Sequence, residues 1–417
     1  MKFSKKHIFF ASASTVVEWY DFMLFAYLTP IFALNFFPTT DKLSGILMTF
    51  GVFAVGFFMG PIGSIIMGSI GDRLGRKKAL ILSIMVMIVP LLVIAILPTY
   101  KTIGVLAPII LILMRLIQGF SIGGSYGGVM VFMIESAKPS RRGYIASFAT
   151  MSSGVGVCLA SLVVMLLSWF ISTEALNDWG WRLAYIIGLV LAIAALIMRL
   201  SMPKSKAFEK LKEKDNISKT PVRSMFKKQR KPLFYAIALS TYGNIAYYLV
   251  LSYLETHFVE LGYSQFFALS VITVFSLLFA FTAPLWGALS DLTGRKPLVK
   301  VAIFIYTLLS YPAFMLMNMG EYYLFLSVAI LSVPLMLIWG SYGAAAPELF
   351  EAKYRYSGNA LSYNVGNSFF GGTMPFIATL LIVVFGGVNT PAWLLIGSSL
   401  IMIPIIMSMP ETMYKEV

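Results

Sequence analysis

From end to end, the chain alternates apolar runs long enough to cross a lipid bilayer with short polar loops. A helix needs about 20 apolar residues to traverse the hydrocarbon. Runs of that order fall at roughly 8–34, 44–70, 79–98, 103–134, 144–171 and 182–202, then at roughly 233–258, 265–289, 298–317, 322–347, 357–386 and 391–409. Composition agrees, with 59% apolar and only 12% charged residues, against about 45–50% and about 25% in a soluble domain. So little charge cannot coat a water-facing surface, which argues against a soluble enzyme, a disordered chain or a nucleic-acid binder. The first run holds Glu18 and Asp21 and is too long for a cleavable signal peptide, so it is expected to stay as the first span. The pattern predicts an all-α membrane protein with twelve transmembrane helices in two six-helix bundles.

The division into bundles rests on charge. Residues 203–231 form the one long hydrophilic stretch, with eleven Lys/Arg from Lys204 to Lys231. They read as a basic cytoplasmic linker between an N-terminal bundle (1–202) and a C-terminal one (232–417). A lipid-surface amphipathic segment is the alternative, since Phe208, Leu211 and Phe226 lie among the lysines. Of the 32 basic residues, 28 fall in alternate segments on one side of the span assignment, counting Arg199 at the linker's edge. Only Lys42, Lys101 and Arg182 fall on the other side, and Arg115 lies mid-span. Basic residues favour cytoplasmic loops, so both termini are expected in the cytoplasm. One cysteine, Cys158, and two histidines, His7 and His257, offer neither a disulfide framework nor a metal site.

The two bundles echo each other. GSIGDRLGRKK (Gly68–Lys78) recurs as GALSDLTGRKP (Gly287–Pro297), and SYGGVMVFMIE (Ser125–Glu135) as SYGAAAPELFE (Ser341–Glu351). Homologous halves related by an axis along the membrane normal place a solute site between them near mid-bilayer. That architecture favours a transporter.

Polar residues inside the spans then mark the chemistry, because an ionised group at bilayer depth costs roughly 3 kcal/mol or more. Glu18 and Asp21 share a helical face in Glu18-Trp19-Tyr20-Asp21-Phe22. Two acids so close do not both ionise readily in a low-dielectric cavity, and an exchangeable carboxyl is what proton coupling requires. Either acid could instead simply pair with an arginine. Arg115 cannot lose its proton, so burying it calls for a carboxylate or an anionic solute. It heads a polar stripe with Gln118 and Ser125, flanked by Gly119, Gly123 and Gly124. Tyr20, Tyr242, Asn244, Tyr247, Tyr248, Trp339, Tyr342, Tyr363, Asn364 and Asn367 complete the candidate solute-binding set, with Gly243 a point where its helix can loosen. Aromatic rings can box a quaternary ammonium, although they also serve as ordinary packing.

Asp72 and Asp291 fall at cytoplasmic helix ends, each followed by Gly and then by Arg76 or Arg295. A carboxylate there can pair with the arginine and with the positive end of another helix, making a latch for the outward-facing state. Glu135 with Arg141 and Arg142, and Glu351 with Arg355, are expected to extend it.

These residues resemble the major facilitator superfamily. GSIGDRLGRKK resembles its loop between spans two and three, and RLIQGFSIGG (Arg115–Gly124) its fourth-span motif. EWYDF (Glu18–Phe22), GFSIGG-x-YGG (Gly119–Gly128) and RRGYIASF (Arg141–Phe148) resemble the metabolite:proton symporters. The resemblance implies alternating access and proton-driven uptake of a small organic solute, such as a zwitterion, an amino acid or betaine, or an organic acid. It also implies a monomer in a bacterial inner membrane, with the proton as coupling ion and no other cofactor. Relatives usually carry Arg at position 60 and Glu at position 125, where this chain has Gly60 and Ser125. Losing both charges together would leave the interior balanced, as if the two residues form a pair. A proton-coupled exporter of drugs or metabolites, and a non-transporting membrane receptor, are the competing readings. No nucleophile–base pair or phosphate loop suggests an enzyme.

Overall fold

The computed structural model describes residues 5–37, 42–201, 208–209 and 221–413. Most of the linker and the last residues of the chain lie outside these, so the linker as a whole and Lys2, Lys415 and Leu211 receive no structural account. The first half contains α1 (Lys5–Tyr27), α2 (Thr29–Phe36), α3 (Lys42–Leu74), α4 (Arg76–Ile96), α5 (Leu106–Ser136), α6 (Arg142–Phe170) and α7 (Trp181–Leu200). The second contains α8 (Arg230–Tyr248), α9 (Gln265–Thr293), α10 (Arg295–Leu316), α11 (Glu321–Glu348), α12 (Arg355–Gly366), α13 (Met374–Phe385) and α14 (Ala392–Ser408).

Ten helices among the described residues are long and apolar enough to cross a membrane. Helices α1 and α2 form an eleventh, bent span with a 63° kink. The apolar α14 has 17 residues, at the lower limit for a span. Large apolar side chains cover the outer faces, among them Phe170, Leu285, Phe304 and Ile401. Lipid tails accept such residues as readily as a protein core does. Glu18, Asp21, Arg115 and Arg199 are buried instead.

Close packing within the first half depends on absent side chains. Where α3 crosses α5, a Cβ on Gly119 would stand 1.6 Å from the Gly56 carbonyl oxygen, and one on Gly63 would stand 2.1 Å from that of Phe120. The repeated Asp-x-x-Gly-Arg loops have their own requirement. Gly75 and Gly294 turn α3 into α4 and α9 into α10 with φ of 108° and 97°, a region that side chains avoid. The halves meet along α6 and α9, and where α12 lies against α3 and α5.

In the second half, two spans are interrupted by a turn of π-helix, Leu249–Tyr253 after α8 and Asn367–Gly371 after α12. The α8 span therefore departs from regular helix at Leu249, while Gly243 stays within regular α-helix. Of the linker, Phe208 and Met225 are buried, with Phe208 against Gly75 and Arg76, while Phe226 is exposed.

Candidate functional site

Between the halves lies a cavity of about 20 Å³, room for about one water molecule. The first half lines it with Glu18, Trp19 and Phe57, the second with Tyr248, Asn364 and Asn367. The described lining contains one charged residue, Glu18.

Glu18 is buried and faces Arg199, whose Nη2 stands 3.4 Å from its Oε1. The same Nη2 donates to Ser125 Oγ at 2.7 Å, and Nη1 donates to the Leu80 carbonyl. Arg199 is therefore an interior cation that ties α7 to α1, α4 and α5, and not the cytoplasmic-edge residue its position suggests. A long stem reaching back from a helix end brings the charge inward. Ser125 thus sits on an ion pair. By contrast, a side chain at Gly60 would meet Asn364 Oδ1 of the other half at 2.8 Å and Ser368 Oγ at 3.0 Å.

Asp21 lies in a separate network. Its Oδ1 accepts from Gln118 Nε2 at 2.8 Å, and Gln118 Oε1 accepts from Arg115 Nη1 at 3.0 Å. Gln118 stands between acid and base, so the expected carboxylate partner of Arg115 is reached only through an amide. The Arg115 guanidinium rests on Phe25, Phe22 and Phe53, 4.2, 4.8 and 5.4 Å from the ring centroids. It is held by cation–π contact and is not among the residues lining the cavity.

The aromatic candidates divide. Tyr247 and Trp339 meet Trp19 and Tyr126 of the first half across the interface, with Tyr247 5.1 Å from Trp19 and Trp339 6.3 Å from Tyr126. Tyr342 and Tyr363 complete this cluster. Asn364 donates to the Gly123 carbonyl at 2.7 Å, and Asn367 accepts from the Tyr248 hydroxyl at 3.1 Å. Three candidates point elsewhere. Tyr20 donates to the Ala184 carbonyl, and the Tyr242 hydroxyl meets Ser399, each inside its own half. Asn244 donates to Ser240 on its own helix. A tyrosine with a partner behind it has no reason to turn toward the centre, and sequence does not say where the partner is. Trp19 and Tyr126, absent from the sequence-based set, were adjacent to residues it contained.

On the cytoplasmic side the halves exchange contacts in a pseudo-symmetric way. Asp72 Oδ2 accepts from the Ser357 N–H and Oγ at 2.9 and 2.6 Å. Asp291 accepts from the N–H groups of Gly143 and Tyr144, each at 2.8 Å. Each carboxylate thus caps the first turn of a helix in the opposite half, where N–H groups lack internal partners. Arg76 lies 3.1 Å from Asp72 and Arg295 2.9 Å from Asp291. Glu135 joins Arg76 to Arg355 across the interface, at 3.3 and 3.5 Å. Glu348 joins Arg295 to Arg142 in the same fashion, at 3.2 and 3.9 Å.

Two expectations change here. Glu135 meets Arg76 and Arg355, while Arg141 is exposed. Glu351 is exposed and pairs with Lys353 and Gln229, because α11 ends at Glu348 and leaves Glu351 beyond it. Glu348 is the buried counterpart of Glu135. The halves also touch farther out, where Ser161 Oγ lies 3.1 Å from Thr273 Oγ1.

Two pseudo-symmetric bundles enclosing a charged central cavity define a multi-pass secondary transporter, not an enzyme. The chain belongs to the Major Facilitator Superfamily, which its residues 11–370 match. It is 35% identical over 380 residues to the alpha-ketoglutarate permease of Escherichia coli, covering 89% of this chain and 86% of that one. It is 32% identical to the shikimate transporter of the same organism (90% and 87% covered) and 30% identical to the proline/betaine transporter of Salmonella typhimurium (98% and 84% covered). In fold it is similar to the proton:xylose symporter XylE bound to 6-bromo-6-deoxy-D-glucose, with a TM-score of 0.78, 17% identity, and 98% of this chain and 96% of that one covered. It is therefore a membrane transporter related to carriers of alpha-ketoglutarate, shikimate and proline/betaine.

Proposed function

We propose that this protein takes up a small organic solute together with a proton across a bacterial inner membrane, as a monomer with both termini in the cytoplasm. The observation that carries the reading is the stacking of two features. A buried carboxylate, Glu18, lines a cavity between halves, and the cytoplasmic ends of those halves are held by the Asp72 and Asp291 caps. Alternating access requires both, a site that senses charge and a latch that opens on one side.

The residues divide the work. Asp21, through Gln118 and Arg115, and Glu18, through Arg199, are the proton carriers, and each can lose its charge while its arginine keeps contact with an amide, a hydroxyl or an aromatic face. Gln118 and Ser125 hold these carriers in place. The solute enters from the outer face once the halves part there, and meets Trp19, Tyr248, Asn364 and Asn367 as the cavity widens, with Tyr247, Trp339 and Tyr342 as aromatic walls. Neutralisation of the carboxylates then favours release of Asp72, Arg76, Glu135, Arg142, Asp291 and Arg295 on the cytoplasmic side. One carboxylate and no cation among the described residues of the cavity wall favour a zwitterion with a cationic nitrogen over a dianion.

The test is accumulation of labelled glycine betaine, proline, alpha-ketoglutarate and shikimate in proteoliposomes under an imposed proton gradient, acidic outside. The reading expects gradient-driven accumulation of one of them, abolished by a protonophore. Efflux driven by the same gradient would instead establish the exporter reading.

A further inference from the structure

Tyr356 is a side chain of the second half seated wholly inside the first. It is fully buried near the start of α12. Its hydroxyl donates to the Gly124 carbonyl at 2.8 Å. Two glycines make its seat: a Cβ on Gly71 would stand 2.8 Å from the ring, and one on Gly128 would stand 2.1 Å from the hydroxyl oxygen. Its chain neighbours carry the latch, since Arg355 holds Glu135 and Ser357 holds Asp72.

Position also gives Tyr356 two electrostatic partners that otherwise belong to different sites. The Arg76 guanidinium of the latch is 6.0 Å from its ring centroid. Arg199, the counter-ion of Glu18, lies within electrostatic reach, and the charged groups facing the phenol are Arg199, Arg76, Asp72 and Glu18. The other half has no equivalent. The spacing that relates Arg142 to Arg355 and Tyr144 to Ser357 relates Tyr356 to Gly143, which meets Gly287, Ser290 and Arg295 without a side chain.

We propose that Tyr356 is the positioning residue through which neutralisation of Glu18 reaches the cytoplasmic latch, an inference that rests on Glu18 being a charge-sensing carboxylate of the transport cycle. While Glu18 is ionised, Arg199 is held by it, by Ser125 and by the Leu80 carbonyl. Once that charge is cancelled, Arg199 remains a buried cation and turns to the phenol oxygen, a nearby acceptor supplied by the opposite half. Drawing the hydroxyl off Gly124 unseats the ring from its glycine slot. Arg355 and Ser357 move with it, and the Glu135 and Asp72 contacts part.

The experiment reads conformation directly, by double electron–electron resonance between nitroxides at Leu74→Cys and Leu292→Cys in a Cys158→Ser chain. Both sites are exposed, at the ends of α3 and α9. Glu18→Gln is expected to raise the ratio of long to short distances about threefold or more, a coupling ordinary for contacting groups. In a Tyr356→Phe background, where the ring still fills the slot, the same substitution is expected to leave the ratio unchanged. An equal shift in both backgrounds, or none in either, overturns the proposal. A second arm does not depend on Glu18. Gly128→Ala should populate the long distance by blocking the seat, and adding Tyr356→Ala should restore the short one. A Gly128→Ala chain with the parent's distances, or no restoration, also overturns it. Gradient-driven uptake by the parent chain is scored separately. Uptake with equal Glu18→Gln shifts removes the role of Tyr356 alone, and an intact coupling pattern without uptake removes the proton-driven reading alone.

Discussion

Arg199 stands one residue from the end of its helix, yet its side chain is sealed inside the first half with Glu18. Removing one member of such a pair strands the other, at a cost of about 3–5 kcal/mol, while removing both can be nearly neutral. Arg199→Met is therefore expected to lower the midpoint of thermal unfolding in detergent by several degrees. Adding Glu18→Gln should recover most of the loss. A double variant as unstable as the sum of the singles would show that the two groups do not interact. Asp21 offers a cleaner separation of fold from function. In Asp21→Asn the amide oxygen can still accept from Gln118, so the Asp21–Gln118–Arg115 chain of contacts survives while the exchangeable proton is gone. The variant is expected to fold and to exchange labelled for unlabelled solute, but not to accumulate solute under a proton gradient. Gradient-driven accumulation by Asp21→Asn would transfer the proton-carrying role to Glu18.

Helix packing explains why glycine in this chain has two different values. Gly119 has no room for a methyl group against α3, whereas Gly397 in α14 has no atom within 4 Å of where one would go. Gly119→Ala is expected to abolish folded yield, and Gly397→Ala to be neutral or to stabilise by about 0.5–1 kcal/mol, both read by size-exclusion profile and thermal unfolding. Helix α10 is capped by a distant acid. Glu411 accepts from the N–H groups of Arg295 and Lys296 at 3.0 and 3.1 Å. Burial pushes its carboxyl up, but these donors and the N–H groups of Met413 and Thr412 outweigh burial and hold it below its ordinary value of 4.5. A depressed value in the fold means that its stabilisation is complete above 4.5 and fades as pH falls through the folded value. Glu411→Gln should therefore cost about 1 kcal/mol near neutrality, and the difference from the parent should shrink in acid. A gap independent of pH would contradict the cap.

The spans and the two Asp-x-x-Gly-Arg turns were legible because each is a local pattern. Lipid demands apolar runs, and the turns demand glycine at a positive φ. Arg199 was not legible, since a basic residue near a helix end reads as a loop cation until a partner is visible. Nor was the choice of Glu348 over Glu351, which depends on where α11 stops.

At the scale of the molecule, the cytoplasmic closure consists of two similar clusters that share no residue: Asp72, Arg76, Glu135, Arg355 and Ser357 in one, and Asp291, Arg295, Glu348, Arg142, Gly143 and Tyr144 in the other. A closure divided in this way can weaken in steps without either half unfolding. A hydrogen bond to a charged group contributes about 1.5–3 kcal/mol, and each 1.4 kcal/mol is about tenfold in a population. Asp72→Asn and Asp291→Asn each keep one acceptor oxygen but lose the charge and put an amide donor where the second oxygen had met Arg76 or a backbone N–H, so each is expected to raise the fraction open to the cytoplasm by about tenfold. Ser147 is a suitable reporter, because it is fully buried where α6 meets Gly287 of the other half. In a Cys158→Ser chain bearing Ser147→Cys, alkylation by a membrane-impermeant maleimide applied to the cytoplasmic face should be slow. Either Asp→Asn change should accelerate it, and because Asp72 and Asp291 have no contact residue in common among the described residues the two accelerations should multiply in the double variant. A double variant no faster than the better single would mean that one cluster alone keeps the halves closed, and the second would then be packing without a part in the transport cycle.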